Sequence, residues 1–296
     1  MENTLAIVGA GRVGRALGRR LRELGWKIGA VITRNESGAR RAIRFIGAGK
    51  PHAGMTRQTL ASRVILIATP DDAITAVAQE LARIGAEELR GKVVLHTSGA
   101  LDVRALDAVK SCDAAVGSIH PLQSFSGAAV PSLEGRIFAV EGDSQALAVA
   151  RQIARSLGGS PVKIPSGKKV LYHAAATMAA ANVLAIEEAA SQLLISIGMR
   201  RSQATRALLA LTRQVLENME HLGPRAAWTG PLSRGDFKVL GAHLEALQDS
   251  PEEFAQAYEA LNRLAARTLS PDAPRALAEL DKISVKKKTK VMGSNA

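Results

Sequence analysis

The residues best equipped for chemistry are a lysine and a histidine four apart, Lys169 and His173, in the run Lys168-Lys169-Val170-Leu171-Tyr172-His173-Ala174. On a helix this spacing puts both side chains on one face, and Thr177 repeats the interval. An imidazole ordinarily titrates near neutrality, so His173 is the first candidate for proton transfer and Lys169 the second; ordinary helix packing is the competing use of both. Upstream, His96-Thr97-Ser98-Gly99 follows Val93-Val94-Leu95, and His120-Pro121-Leu122 follows Gly117-Ser118-Ile119. If both segments close strands, Ser98 and His120 face a substrate, or else fasten their loops by hydrogen bonds. Asn182 adds a polar group further along the helical stretch. In Thr229-Gly230-Pro231-Leu232-Ser233-Arg234-Gly235-Asp236, Arg234 is suited to a carboxylate or phosphate, and Ser233 or Asp236 to capping the next helix.

A second kind of chemistry is written into Gly9-Ala10-Gly11-Arg12-Val13-Gly14, which follows an apolar strand and opens the helical run Arg15 to Leu24. In that context Gly9 permits a tight turn, Gly11 lets a pyrophosphate approach the backbone, and Gly14 allows close helix packing. Unpaired amides at the helix start, including those of Arg12 and Val13, suit an anion. The second strand ends in Thr33-Arg34-Asn35-Glu36-Ser37, without the acid at the strand end that usually accepts the ribose hydroxyls of NAD. Arg34 is suited to a 2′-phosphate, with Thr33 and Asn35 offering hydrogen bonds, so NADP(H) is expected over NAD(H). Glu36 would weaken that reading if it faced the ribose. Thr69, Pro70 and Thr97, at the ends of further strands, are expected beside the cofactor, and Asp71 or Asp72 as a helix cap.

The elements that must hold these groups follow from periodicity. Short β-branched runs at residues 5–8, 28–33, 64–68, 93–96, 115–119, 137–140 and 162–164 alternate with helical stretches, which implies a mostly parallel sheet covered on both faces. Beyond Pro165 and Gly167 the chain reads as helices at about 168–197, 201–222, 235–248, 251–266 and 271–280. The expected class is α/β, with a Rossmann dinucleotide-binding domain over 1–165, an all-helical substrate and dimerisation domain over 166–282, and a basic flexible tail over 283–296. The small side chains of Ala174-Ala175-Ala176 and Ala179-Ala180-Ala181 let another helix approach closely, within the chain or from a second copy.

Composition narrows the function classes. The 296 residues carry a formal net charge of +12 with only 3% aromatics and no nucleic-acid-binding motif, so the charge suits phosphate-bearing small molecules better than nucleic acid. The lone Cys112 allows neither an intrachain disulfide nor a cysteine-rich metal site, and no histidine cluster suggests a metal. Neither a secretory leader nor an uncharged membrane-length run is legible, so a cytoplasmic, membrane-free protein is expected.

Taken together, Gly9 to Gly14, Ala68-Thr69-Pro70-Asp71, His96-Thr97-Ser98-Gly99, Gly117 to Phe125, Tyr172-His173-Ala174-Ala175 and Thr229 to Asp236 resemble Rossmann-like proteins with a C-terminal helical domain of unknown function, in the 6-phosphogluconate dehydrogenase-like superfamily. Pyrroline-5-carboxylate reductase, ketopantoate reductase, hydroxyacid dehydrogenases and prephenate dehydrogenase are more distant relatives. The His120-Pro121-Leu122 segment is similar to a His-Pro-Met segment whose histidine contacts substrate in prephenate dehydrogenases. Hydroxyacid dehydrogenases place an asparagine four residues after a helix-borne lysine; here that place is taken by His173. The resemblance implies a helical homodimer with an active cleft between domains. The function expected is hydride transfer between NADP(H) and a carbonyl or imine carbon of a small polar or anionic metabolite. A noncatalytic NADP(H)-responsive binding protein is the alternative.

Overall fold

The computed structural model describes residues 3–127 and 129–293, with side chains as far as 283. Its chain divides between Ala180 and Ala181 into two compact units. The first is built on one sheet of eight strands: β1 (Thr4–Val8), β2 (Lys27–Thr33), β3 (Lys50–Ala53), β4 (Val64–Ile67), β5 (Val93–His96), β6 (Ala115–Pro121), β7 (Ile137–Gly142) and β8 (Ser160–Lys163). They lie in the order β3-β2-β1-β4-β5-β6-β7-β8, every neighbouring pair parallel except β6 with β7. The first six follow the doubly wound dinucleotide-binding order.

Alternation along the strands fills two cores. Leu5, Ile7, Val31, Leu66 and Leu95 face one side, against α1 (Arg12–Glu23), α2 (Glu36–Ile46) and α5 (Ser144–Ser156). Ala6, Val8, Ile32, Ile65, Ile67 and Val94 face the other, against α3 (Asp71–Leu89) and α4 (Asp107–Lys110). Burial on both faces is why these strands read as continuous apolar runs. Edge strand β3, Lys50-Pro51-His52-Ala53, is absent from the sequence reading because it is polar and contains proline, which only a sheet edge tolerates well.

The helix α6 (Lys169–Ala179) belongs to this first unit, whereas the sequence reading assigned it to a domain beginning at 166. Its first residue sends a buried side chain into the strand ends, a tie that apolar periodicity does not reveal. The stretch expected as one helix over 168–197 is interrupted at Ala180 (φ −124°, ψ −77°).

The second unit is helical: α7 (Ala181–Ser196), α8 (Arg201–Leu222), the short α9 (Pro224–Ala227) and α10 (Pro231–Arg234), α11 (Phe237–Ala246), α12 (Glu252–Leu269) and α13 (Ala273–Gly293). Leu232, Leu240, Ala266, Ala276 and Leu280 form its buried cluster. Glu187 of α7 accepts a short hydrogen bond from Thr212 of α8, and Glu188 pairs with Arg201 at 3.1 Å. The segment expected as a flexible tail is helical as far as Gly293; lysine is a good helix former, and no proline or glycine intervenes before that point. The last three residues of that expected tail lie outside the described residues.

By length and composition the stretch Lys169–Ser196 could cross a membrane, although it is not the uncharged run that the sequence reading excluded, since it holds Lys169, Glu187 and Glu188. The stretch nevertheless begins on a lysine fixed in the sheet and carries Glu187 and Glu188 in polar contacts with α8.

Candidate functional site

The glycine-rich turn between β1 and α1 has the shape a pyrophosphate requires. Gly9 has φ +89°, and a Cβ there would sit 2.6 Å from the Thr69 amide; one on Gly14 would sit 2.3 Å from the Gly9 carbonyl oxygen. Both positions therefore demand glycine, whereas the space around Gly11 is open. Gly11 caps α1 without a side-chain hydrogen bond, which leaves the first amides, including those of Arg12 and Val13, for an anion. Thr69 adds a buried hydroxyl with no partner beside this turn. These features fit a dinucleotide phosphate.

At the end of β2 the expected residues divide by role. Asn35 caps α2, its Oδ1 accepting from the Gly38 amide at 2.8 Å, and the Thr33 hydroxyl donates to the Asn35 carbonyl at 2.6 Å. Both shape the loop through bonds already made. Arg34 is exposed, and no hydrogen bond or ion pair engages it among the described residues. Arg41, one turn into α2 and absent from the sequence reading, lies 3.4 Å from the Ser37 hydroxyl. Glu36 pairs with Arg40 at 2.6 Å along the helix surface. Pro70 precedes α3, and Thr97 is nearly buried, its amide donating to the Ile67 carbonyl.

Ser98 fastens its loop. Its hydroxyl donates to Asp71 Oδ2 at 2.8 Å and accepts from the amides of Ala100 and Leu101 at 3.1 and 2.9 Å, so its hydrogen-bonding capacity is spent on the loop. Asp71, expected as a helix cap, instead receives that hydroxyl from the first turn of α3. His96 is fully buried. Its Nδ1 accepts the Ser98 amide at 3.2 Å, which leaves Nε2–H to donate to the Asp102 carbonyl at 3.3 Å. Burial, and next the Lys169 charge, push its pKa down to about 3, so the ring is neutral.

Lys169 is only 1% exposed. Its ammonium donates to the Ser98 carbonyl at 2.5 Å and the Ser118 hydroxyl at 2.9 Å, which ties α6 to the ends of β5 and β6. Burial lowers its pKa to about 8 against the opposing pull of Glu141, Asp71 and Asp102. One turn further along α6, His173 and Tyr172 meet His120. The Tyr172 hydroxyl and His120 Nδ1 share a hydrogen bond of 2.9 Å, and the two histidine rings stand edge to face with centroids 6.0 Å apart. Gly99 makes room for both: a Cβ there would lie 2.6 Å from His173 Cδ2 and 2.9 Å from His120 Nε2. Burial first, then Lys169 and His173, lower His120 to a pKa of about 4, and burial raises Tyr172 to about 12.

Tyr172 was not singled out from the sequence. Its place beside His173 was visible, but its bond to a strand end 52 residues away was not. Asn182 and Arg234 belong to the second unit. Asn182 is exposed on α7, and Arg234 Nε donates to Asp236 Oδ2 at 3.1 Å. Neither Ser233 nor Asp236 caps α11 with its side chain; the Ser233 hydroxyl donates to the Gly230 carbonyl. Among the described residues no group of three or more histidines, cysteines or acids is placed to hold a metal.

Fold and site together define a Rossmann-like unit with a turn shaped for a dinucleotide phosphate, followed by a C-terminal helical region. Residues 2–121 match the model of a Rossmann-like domain, and residues 136–265 match that of a domain of unknown function, DUF2520. A candidate NADP oxidoreductase from Bacteroides fragilis is similar at 22% identity and TM-score 0.70, covering 88% of this chain and 96% of its own. A Thermotoga maritima protein is 25% identical with TM-score 0.65, covering 88% and 98%. The Aspergillus terreus reductive aminase in complex with NADPH and ethyl-5-oxohexanoate is 17% identical with TM-score 0.64, covering 98% and 95%. No curated protein matches the sequence.

Proposed function

We propose that the protein is an NADP(H)-dependent oxidoreductase acting on the carbonyl or imine carbon of a small polar or anionic metabolite. The observation that carries this reading is the meeting of His120, Tyr172 and His173 around Gly99, at the carboxyl ends of β5 and β6 in the same unit as the phosphate-ready turn. In open α/β sheets that edge is where ligands lie. When bound, the dinucleotide supplies or accepts the hydride. His173, half-buried beside His120, carries the proton to or from the substrate oxygen or nitrogen, and His120 with Tyr172 orients the polar end of the substrate. Lys169 acts through position: with its ammonium bound to Ser98 and Ser118, it fixes α6 so that His173 stands at the strand ends. Arg34 supplies the positive charge for a 2′-phosphate, and Arg41 adds a second from the next turn.

We infer a homodimer through the helical unit. Leu211, Val215, Met219 and Leu222 recur at helical spacing along α8, and Leu211 and Leu222 are 63% and 62% exposed. A stripe of this kind on a soluble chain marks an association surface.

The test is parallel calorimetric titration with NADPH and NADH at fixed salt. Tighter NADPH binding is expected, with roughly ten-fold or more lost in Arg34→Ala and NADH unaffected, as for removal of one charge-assisted hydrogen bond. Binding of neither nucleotide would overturn the reading.

A further inference from the structure

The connection that leaves β6 after His120 runs back to the phosphate-ready turn. Leu122 keeps to the sheet, its amide donating to the Ile137 carbonyl at 2.8 Å, and the Gln123 side chain donates to the Ser132 carbonyl at 3.1 Å. Phe125 then packs on the same apolar cluster as Ala10 and Val13 of the glycine-rich turn. Further along, the Gly127 carbonyl accepts a hydrogen bond of 2.7 Å from Arg15 Nη2 on α1. The backbone there lies against the start of that helix: a Cβ on Gly127 would sit 3.0 Å from Arg15 Nη2 and 3.2 Å from Arg12 Cγ, and its φ of +87° favours glycine as well.

Arg15 ties three elements together. Besides the Gly127 carbonyl it meets the Phe45 ring of α2, its guanidinium carbon 4.7 Å from the ring centroid in a cation–π contact. It is half-buried, and among the described residues no acid pairs with it. Arg19, one turn on, shares the ring at 5.4 Å but is committed to Glu23 at 3.1 Å. The three elements are those that carry the candidate site: α1 opens on the amides left for a dinucleotide phosphate, α2 follows the Arg34 loop, and the segment Leu122 to Gly127 begins at His120. A guanidinium spent on a carbonyl and a ring keeps its positive charge for its surroundings, and a hydrogen bond from a charged donor is the stronger kind.

We propose that Arg15 is a positioning residue, which latches the segment Leu122 to Gly127 onto α1 beside the dinucleotide site and so couples retention of the dinucleotide to the placement of His120. That role rests on the oxidoreductase reading, which supplies the dinucleotide. With the latch made, the segment walls the phosphate site next to Arg12 and holds the chain that follows His120 at a fixed distance from the helix. With the latch broken, the segment lifts, the nucleotide leaves sooner, and His120 no longer responds to what the glycine-rich turn holds.

Two variants break the latch from opposite sides. Arg15→Met keeps an apolar stem over Phe45 and removes every donor, whereas Gly127→Ala disturbs the carbonyl's approach and leaves α1 untouched. Release of NADPH from the full chain is followed by stopped-flow fluorescence on chase with excess NADP+, and the His120 imidazole by NMR of histidine-labelled protein. Both variants are expected to bind NADPH and to release it roughly ten-fold faster or more, as for loss of one charged hydrogen bond, with association little changed. In the parent, NADPH is expected to shift the His120 resonances; in the variants that shift is expected to be lost, which an arginine that merely stabilised the fold would not cause. Gly127→Ala keeps the test decisive should Arg15→Met fold poorly. Release at the parental rate, or a His120 shift equal to the parent's, would overturn the proposal and leave the oxidoreductase reading standing; failure of the parent to bind NADPH would overturn both.

Discussion

Acidification offers the most direct quantitative check on the site's buried histidines. His96 is fully buried, with Nδ1 taken by the Ser98 amide and Nε2–H by the Asp102 carbonyl, so adding a proton breaks the Nδ1 bond and places a charge near Lys169. Its pKa is 6.5 in the unfolded chain and about 3 in the folded one. The unfolded state therefore binds more protons across that window, and stability must fall as pH drops through it. Between about pH 7 and pH 5, the native state should lose about 2 kcal/mol from His96 alone, since each pKa unit crossed is worth about 1.4 kcal/mol. His120, lowered to about 4, contributes a loss of similar size over the same interval. The assay is urea unfolding at stepped pH, followed by Trp26 fluorescence in a Trp228→Phe background so that the sheet unit reports by itself; Trp26 is 5% exposed in that unit. Comparison of the parent with His96→Gln cancels the contribution of carboxylates common to both. The parent should lose about 2 kcal/mol more than the variant. Parallel losses would mean that His96 is not held neutral by burial, and the account of the loop it anchors would fail.

Other consequences are as specific. Gly14→Ala puts a methyl 2.3 Å from the Gly9 carbonyl oxygen; it should abolish dinucleotide binding in calorimetry and cost about 1–3 kcal/mol of stability in denaturant titration. Because Lys169 has a pKa of about 8 folded against 10.5 unfolded, the unfolded chain holds the extra proton between those values, and stability gains from this residue as pH rises through them. Relative to Lys169→Met, the parent should gain about 3 kcal/mol over that range, read from unfolding midpoints, and equal pH profiles would contradict the burial of the ammonium. Replacing Leu211 and Met219 together by lysine should convert a dimer to a monomer in sedimentation velocity; an unchanged mass would remove α8 as the association surface.

Much of the first unit was legible in the sequence because its determinants are local. Apolar runs buried on both faces announce the parallel strands, and Gly9, Gly11 and Gly14 announce a turn that a Cβ would obstruct at two of its three glycines. The i,i+4 relation of Lys169 to His173 was equally visible, since helical spacing needs no tertiary knowledge. Folding decided what each of these groups touches. Ser98 looked as available to a substrate as His120, yet its hydroxyl closes a loop onto Asp71, a partner 27 residues away. Lys169 and His173 share a helix face, but α6 enters the sheet unit by its first turn, so the lysine is buried as an anchor and the histidine is left half-exposed beside His120. Glu141 lies just past the apolar run 137–140, and only the antiparallel pairing of β7 with β6 places it, buried, in the row of Ser118. Backbone propensity and periodicity act over a few residues and are written in the sequence, whereas burial, hydrogen-bond partners and pKa depend on groups brought together from 27 to 71 positions apart, and these the tertiary structure alone decided.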